Sequence, residues 1–369
     1  MDLIADKALG QPRLENADHV MIVGTGVTVD AAMKSATTEM IRWLTDRYGL
    51  TPHDIAPFLG TEMVLAVAPD NVDALFRLGN LLLREGEPVP GRIAESFACF
   101  HRHAQLAYPA YGCMPQQSEL PHRLQHDSEQ RDYLRDTGGD IQRFQLADGS
   151  RIAGKAVNVG NVADAVRQWQ SRKPQIIVID DLLTVAALEK LRRFCWGSTI
   201  WRDTHPDGYL TAMPEHGLAC PLIAQIDEEL RQVYAEIMEG HHLRYLWAFK
   251  YDSRLSGVGT HADPSLVTFN FWITPDEANL DPEHGGLTVW DVAAPDDWKQ
   301  SEYIGDTAGC QAYLKRRGAR SVTVPYRSNR ALVFASHLFH QTDRVNFRPG
   351  YTNRRINLTM LYGRRRAPL

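Results

Sequence analysis

HADPSLVTFNFWITPDEANLDPEHGGLTVWDV, residues 261–292, is the stretch on which the reading of this chain turns. Its centre, Val267-Thr268-Phe269-Asn270-Phe271-Trp272-Ile273, is dense in β-branched and aromatic residues and predicts a strand over Leu266–Ile273. Gly285-Gly286 reads as a turn or bulge opening a second strand, Gly286–Asp291. Just before the first strand stands His261-Ala262-Asp263. In extended chain, residues i and i+2 point to the same side. An imidazole and a carboxylate therefore share a face about 6–7 Å apart along the backbone. Both are ligands for a divalent metal.

The same texture continues outward. Short strands are predicted at Ile176–Ile179, Leu243–Tyr251, Ser321–Pro325, Ala331–Phe334 and Arg355–Tyr362, with helices at Leu182–Cys195 and Pro221–Met238. Many short strands separated by Gly/Pro turns imply a sandwich or barrel. Helices early and strands late imply helices packed on one face of the sheets. The predicted class is α+β.

A third metal ligand would have to come from a distant strand. His340, in ALVFASHLFHQTD (331–343), is the candidate, preferred over its neighbour His337 because it stands at a predicted strand exit. Two histidines and one carboxylate on one face of an octahedron leave open positions, the arrangement of non-haem Fe(II) oxygenases. His205-Pro206-Asp207 has the same spacing, but Pro206 marks it as a turn and no strand is predicted after it. Asp343 is a candidate to orient His340 and equally a turn residue.

Alternation over Arg355–Thr359 puts Arg355, Asn357 and Thr359 on one side. A guanidinium inside a barrel needs a planar anion, and a carboxylate fits it in bidentate fashion. A dicarboxylate such as 2-oxoglutarate would bind Arg355 at one end and chelate the metal at the other. Arg354, on the opposite face, is the rival. Tyr251 and Lys250 face opposite ways; Tyr251 is a candidate to bond a cosubstrate oxygen or to pack in the core. Asn270 is a polar handle if it points inward. Trp290 and Asp291 are candidates to line the pocket, and the polar insert 295–318 to form a lid or a surface excursion.

With these residues in view, residues 174–364 resemble the Fe(II)/2-oxoglutarate-dependent oxygenases, most of all bacterial members with tetratricopeptide-type helices upstream. Besides 261–292, the likeness lies in LRYLWAFKYDSRLSGVGTHAD (243–263) and VPYRSNRALVFASHLFHQTDRVNFRPGYTNRRINLTMLYG (324–363). It implies a double-stranded β-helix, a jelly-roll or cupin-like barrel, over 174–369. It implies His261, Asp263 and His340 as metal ligands and Arg355 as the 2-oxoglutarate anchor, with Tyr251, Asn270 and Thr359 joining it at the cofactor site. The cofactors implied are Fe(II), 2-oxoglutarate and O2, with ascorbate as assay reductant. The reaction implied is hydroxylation of an unactivated C–H in an amino-acid-like, peptidyl or other small-molecule substrate. Halogenation is disfavoured, because Asp263 fills the position a halide would need.

Ahead of this lies a mainly helical region. PRLENADHVMIVGTGVTVDAAMKSATTEMIRWLTDRYGLTPHDIAPFLGTEMVLAVA (12–68) resembles the C-terminal part of the acetamidase/formamidase family, giving a fragment over 1–69. Within it a strand is predicted at Val20–Val23, a helix at Asp30–Tyr48 and another from Thr51. Residues 70–140 resemble a tetratricopeptide-type helix pair, covered by a helix near Leu124–Leu134. One such pair cannot bury both faces. Residues 141–173 read as a linker with a helix at Val162–Gln170. Two rival functions follow: an amidase, or a non-catalytic module with a degenerate barrel whose N-terminal helices dock a protein partner.

Composition bounds the rest. With 40 Lys+Arg against 45 Asp+Glu in 369 residues, the net charge of −5 gives no concentrated basic surface for nucleic acid. No apolar run reaches membrane-spanning length and no basic-then-apolar leader opens the chain, so no membrane association and a cytoplasmic location are expected. The five cysteines are scattered without a CxxC pair and read as reduced, buried thiols.

Overall fold

The computed structural model describes residues 13–15, 20–22, 27–48, 61, 65, 68–85, 91–108, 120–252 and 257–365. The chain divides into two compact units, Met1–Leu78 and Gly79–Leu369. In the first, β1 (Arg13–Glu15) pairs antiparallel with β2 (Val20–Ile22), and α1 (Val29–Tyr48) follows. The start of the helix predicted from Thr51 lies outside the described residues, and so does a little under half of the amidase-like segment 12–68. Helix α2 (Val72–Asn80) runs across the division and passes into a π-helical turn, Leu81–Glu85.

The second unit opens with α3 (Arg92–Ala107), α4 (Pro121–Asp136) and α5 (Val162–Ser171). Next come β3 (Ile176–Ile179), α6 (Val185–Gly197), β4 (Asp203–His205), β5 (Tyr209–Ala212), α7 (Pro221–Val233) and α8 (Ala235–Met238). Then follow β6 (Leu243–Tyr251), β7 (Val267–Trp272), β8 (Leu287–Ala293), α9 (Gln300–Tyr303) and α10 (Thr307–Arg317). The chain ends through β9 (Ser321–Val324), β10 (Ala331–Ala335), β11 (Leu338–Thr342) and β12 (Ile356–Tyr362). Two antiparallel sheets result, of order β3-β10-β7-β12-β6-β5-β4 and β11-β8-β9. Among the described residues no ladder joins them into a closed barrel.

The period of two explains the layers. In β7, Phe269 and Phe271 face the helices and join a core with Leu191 and Phe194 of α6 and Ile223, Ile226 and Leu230 of α7. Trp272 faces the other way and packs with Leu287, Val289, Val324 and Leu338 of the smaller sheet. The helices therefore cover one face of the large sheet, and the small sheet covers the other. β12 is buried at every position because both faces are covered.

Several expectations need correction. Pro206 does mark a turn, but His205 closes β4 and a strand does follow: β4 and β5 form a hairpin around Pro206-Asp207. The strand predicted at Ala331–Phe334 is β10, but His340 does not stand at its exit, because a second strand, β11, follows. Ser336-His337 turn the chain from the large sheet to the small one, which places His340 inside β11. The helix Pro121–Asp136 does not cover the upstream pair; it packs against α6 and the turn Tyr351–Asn353. Helix α3 instead rests on α7 and the turn Pro214–His216. Residues 145–157 are woven into the second unit, with Thr199 N donating to the Gln145 carbonyl and Val157 bridging Leu183, and the expected boundaries at 140 and 173 fall inside it. The described cysteines, Cys99, Cys195, Cys220 and Cys310, are buried. No described helix is long and apolar enough to cross a membrane.

Candidate metal centre

His261 and His340 face each other across an isolated antiparallel bridge. His261 N donates to the His340 carbonyl at 3.0 Å, and His340 N to the His261 carbonyl at 2.8 Å. Their rings stand 4.2 Å apart, centroid to centroid. Asp263 completes the group: its Oδ2 lies 3.4 Å from His340 Nε2 and its Oδ1 3.9 Å from His261 Nε2. One ligand atom from each residue lies within 4.8 Å of the others, and no other such group of three occurs among the described residues.

The backbone fixes which nitrogen of each ring is free. His261 Nδ1 is 2.8 Å from the Gly259 carbonyl and His340 Nδ1 is 2.9 Å from the Leu338 carbonyl. A carbonyl only accepts, so each Nδ1 carries the proton and each Nε2 presents a lone pair. Asp263 Oδ2 is buried with no hydrogen-bond partner. Two lone pairs and an unpartnered carboxylate oxygen converging in a buried site make an arrangement that a cation resolves. Burial and the neighbouring His340 push the His261 imidazole down to about 4, against the pull of Asp263. Burial alone would raise the Asp263 carboxyl, but the two imidazoles and the Thr268 hydroxyl hold it below the ordinary carboxylate value.

The triad opens onto a small cavity of about 20 Å³ between the sheets. Trp247, Phe249, Tyr251, Thr268, Asn270 and Thr359 line it from the large sheet. Leu287 and Thr342 line it from the small one. Tyr251 reaches Thr342 (O···O 3.1 Å), and Asn270 reaches Thr359 (N···O 2.8 Å).

Arg355 is wholly buried. Its Nε donates to the Gly285 carbonyl at 2.6 Å, its Nη2 to the Gly286 carbonyl at 3.2 Å and its Nη1 to Asn357 Oδ1 at 2.9 Å. The guanidinium lies 4.4 Å from the centre of the Tyr251 ring. No carboxylate pairs with it among the described residues. Arg355 does not itself line the cavity, but Tyr251 and Asn357, which touch it, do. Arg354 points the opposite way and is held by Glu129 at 2.8 Å and Asp252 at 3.5 Å. Of the two arginines, only Arg355 is an unpaired cation.

Gly285-Gly286, read as a turn, has a second role. A Cβ on Gly286 would stand 1.9 Å from the Val324 carbonyl oxygen, so only glycine brings this backbone in to meet Arg355. His337 stands outside the triad. Asp343 holds His284 Nδ1 at 2.9 Å and not His340. Trp290 packs with the cluster around Tyr303 and Leu314, and Asp291 holds Arg320; neither lines the cavity.

The insert 295–318 is neither a lid nor a free excursion. Its helices α9 and α10 pack on Ala262 and Phe339 through Tyr303, Cys310 and Leu314. Ala262 N donates to the Tyr303 carbonyl at 3.0 Å, and Gln311 reaches Thr260 at 3.3 Å. The insert is a buttress behind the ligand-bearing chain. Asn357, placed by alternation on the side of Arg355 and Thr359, lines the cavity, whereas Thr342 and Trp247 were missed. Strand alternation from Tyr251 and His340 could have found both.

No family model and no curated protein matches the chain. Solved structures do resemble it. The α-ketoglutarate-dependent carbocyclase SnoK of nogalamycin biosynthesis is 13% identical, with 57% of this chain and 87% of that one covered and a TM-score of 0.42. The epimerase SnoN of the same pathway is 11% identical over 57% and 88%, with a TM-score of 0.41. A prolyl-4-hydroxylase from Pseudomonas putida is 13% identical over 59% and 99%, with a TM-score of 0.36. At this level of likeness the functional reading has to be carried by the site's own geometry.

Proposed function

We propose that the chain is a non-haem Fe(II) oxygenase that uses 2-oxoglutarate as cosubstrate. One observation carries the reading: two imidazole Nε2 lone pairs and an unpartnered Asp263 oxygen converge at a buried point, each ring locked by a backbone carbonyl. His261, Asp263 and His340 would hold the metal. Iron(II) bound there with 2-oxoglutarate and dioxygen supplies oxidation of an unactivated C–H, with succinate and CO2 as co-products. The protein's own part is to bind, orient and keep out water.

Arg355 supports the choice of cosubstrate. A buried guanidinium with no acidic partner favours an anionic ligand. Tyr251, Asn357 and Thr359 form the polar floor between it and the triad. The aromatic wall of Trp247 and Phe249 excludes water and offers an apolar surface to the substrate. An amino-acid-like, peptidyl or other small-molecule substrate and a hydroxylation outcome remain part of the proposal.

Succinate release from 2-oxoglutarate, with Fe(II) and ascorbate present, tests it. The wild-type protein is expected to turn over even without its substrate, in the uncoupled reaction, and His261→Ala to lose that turnover. Equal succinate release by His261→Ala, or none by the wild type under any Fe(II) loading, would overturn the reading.

A further inference from the structure

The inner face of the large sheet carries one row of side chains whose hydrogen bonds do not balance as drawn. Register sets Trp247 of β6 opposite Thr359 of β12, and Thr359 opposite Asn270 of β7. All three line the cavity beside the triad. Thr359 Oγ1 lies 2.8 Å from Asn270 Nδ2 and 3.3 Å from Asn357 Nδ2. Two amide donors thus meet one hydroxyl oxygen, and the hydroxyl proton has no acceptor. Meanwhile Asn270 Oδ1 is buried with no partner at all.

The chain of contacts has one fixed end. Arg355 can only donate, so Asn357 must turn its Oδ1 towards it, as it does at 2.9 Å. Asn357 Nδ2 is thereby committed to Thr359. Thr359 then has its proton left to give, and Asn270 is the group beside it. The two ends of an amide have the same shape, so hydrogen bonding decides its orientation. The balanced arrangement has Thr359 donating to Asn270 Oδ1, with Asn270 Nδ2 turned into the cavity. Across the row, the Trp247 indole N–H is also buried without a partner. Buried donors without partners are costly, and a cavity lined by Trp247 and by Asn270 in this orientation favours an acceptor.

We infer that Asn270 Nδ2 and Trp247 Nε1 form a two-donor subsite for a carboxylate, one donor on either side of Thr359, with Asn270 oriented by the relay Arg355–Asn357–Thr359. The inference deepens the proposed function by assigning what the cavity wall recognises. The carboxylate belongs either to the cosubstrate or to the substrate. In both cases the direction of the relay is set by the buried cation, and the subsite fails if any member reverses.

Two variants and one direct observation test it. Asn270→Asp keeps the shape and replaces the donor with an anionic acceptor. Trp247→Phe keeps a ring and removes the indole N–H. Both are compared with wild type by thermal melting, which checks that each variant is folded, and by Mn(II) titration, which checks that each loads with metal. 2-Oxoglutarate is then titrated into the Mn(II)-loaded proteins. Separately, N-acetyl amino acids and their methyl esters are titrated at saturating 2-oxoglutarate. A loss of about tenfold or more in 2-oxoglutarate affinity in both variants assigns the subsite to the cosubstrate. A wild-type preference for free acids over esters, lost in both variants, assigns it to the substrate. If both arms are unchanged in Mn(II)-loaded protein, the inference is wrong while the oxygenase reading stands. Neutron diffraction of the metal-free, deuterated protein decides it without any metal: Asn270 Nδ2, rather than Oδ1, against Thr359 would overturn it.

Discussion

His261 and His340 are useful to a metal because of what their other nitrogens do. Each Nδ1–H is spent on a backbone carbonyl two residues earlier, Gly259 and Leu338. Ring orientation is thus set by local chain geometry before any metal arrives, a form of preorganisation. Asp263→Asn keeps the size of the third ligand but removes its charge. We expect Mn(II) affinity to fall by about tenfold or more, measured by titration. At the other end of the floor, Arg355→Met strands the Gly285 and Gly286 carbonyls and removes the anion partner. A stability loss of about 1–3 kcal/mol by chemical denaturation is expected, together with a higher KM for 2-oxoglutarate at little-changed metal affinity. If the KM stayed at the wild-type value, Arg355 would be structural only.

Between residue and fold, two elements carry arguments of their own. Helices α9 and α10 press on Ala262, which is fully buried between the two ligands of its triplet. Ala262→Leu overpacks that contact at a cost of about 1–3 kcal/mol, so Mn(II) binding should weaken although no ligand is touched. Unaltered metal affinity in a folded Ala262→Leu protein would show that the buttress does not position the site. On the opposite face of β6, Lys250 Nζ is buried, has no hydrogen-bond partner and lies 3.3 Å from the centre of the Tyr351 ring. Burial, with Arg354 adding to it, drives its pKa well below the ordinary lysine value. The unfolded chain holds a proton there that the folded chain gives up, so stability rises with pH until the unfolded lysine titrates near 10.5. Lys250→Met should flatten that rise and lift the melting temperature at neutral pH by several degrees. No such gain would mean that the amine is better solvated than its surroundings indicate.

Acid sensitivity belongs to the whole second unit. His216 is pushed down to about 4 by burial, and burial holds His126 well below 6.5, each on a helix or turn outside the metal centre. A histidine depressed in the folded state leaves the unfolded state with more bound protons between the two values. The stability these groups contribute is complete above about 6.5 and is lost as pH falls towards 4. A melting series over that range should show the loss, and His216→Phe should reduce it. A flat series would place both imidazoles in better solvated settings.

The sequence by itself determined the pieces that depend on local periodicity. A period of two in Val267–Ile273 and Arg355–Tyr362 decides which side chains face the small sheet, because successive residues of a strand must alternate. The same rule joined His261 to Asp263 and put Arg355, Asn357 and Thr359 on one side. What only the tertiary structure decided depends on contacts far apart in the chain. Ala331–Phe334 reads as a strand from sequence, and only the pairing of β10 with β7 and of β11 with β8 reveals the crossing that delivers His340. Arg354 and Arg355 are indistinguishable neighbours until Glu129, 225 residues away, claims one of them. The insert 295–318 is polar in sequence, yet packs behind Ala262 because a few buried side chains, Tyr303, Cys310 and Leu314, outweigh its many exposed ones. Alternation is a property of a strand alone, whereas partner choice is a competition among all surfaces at once.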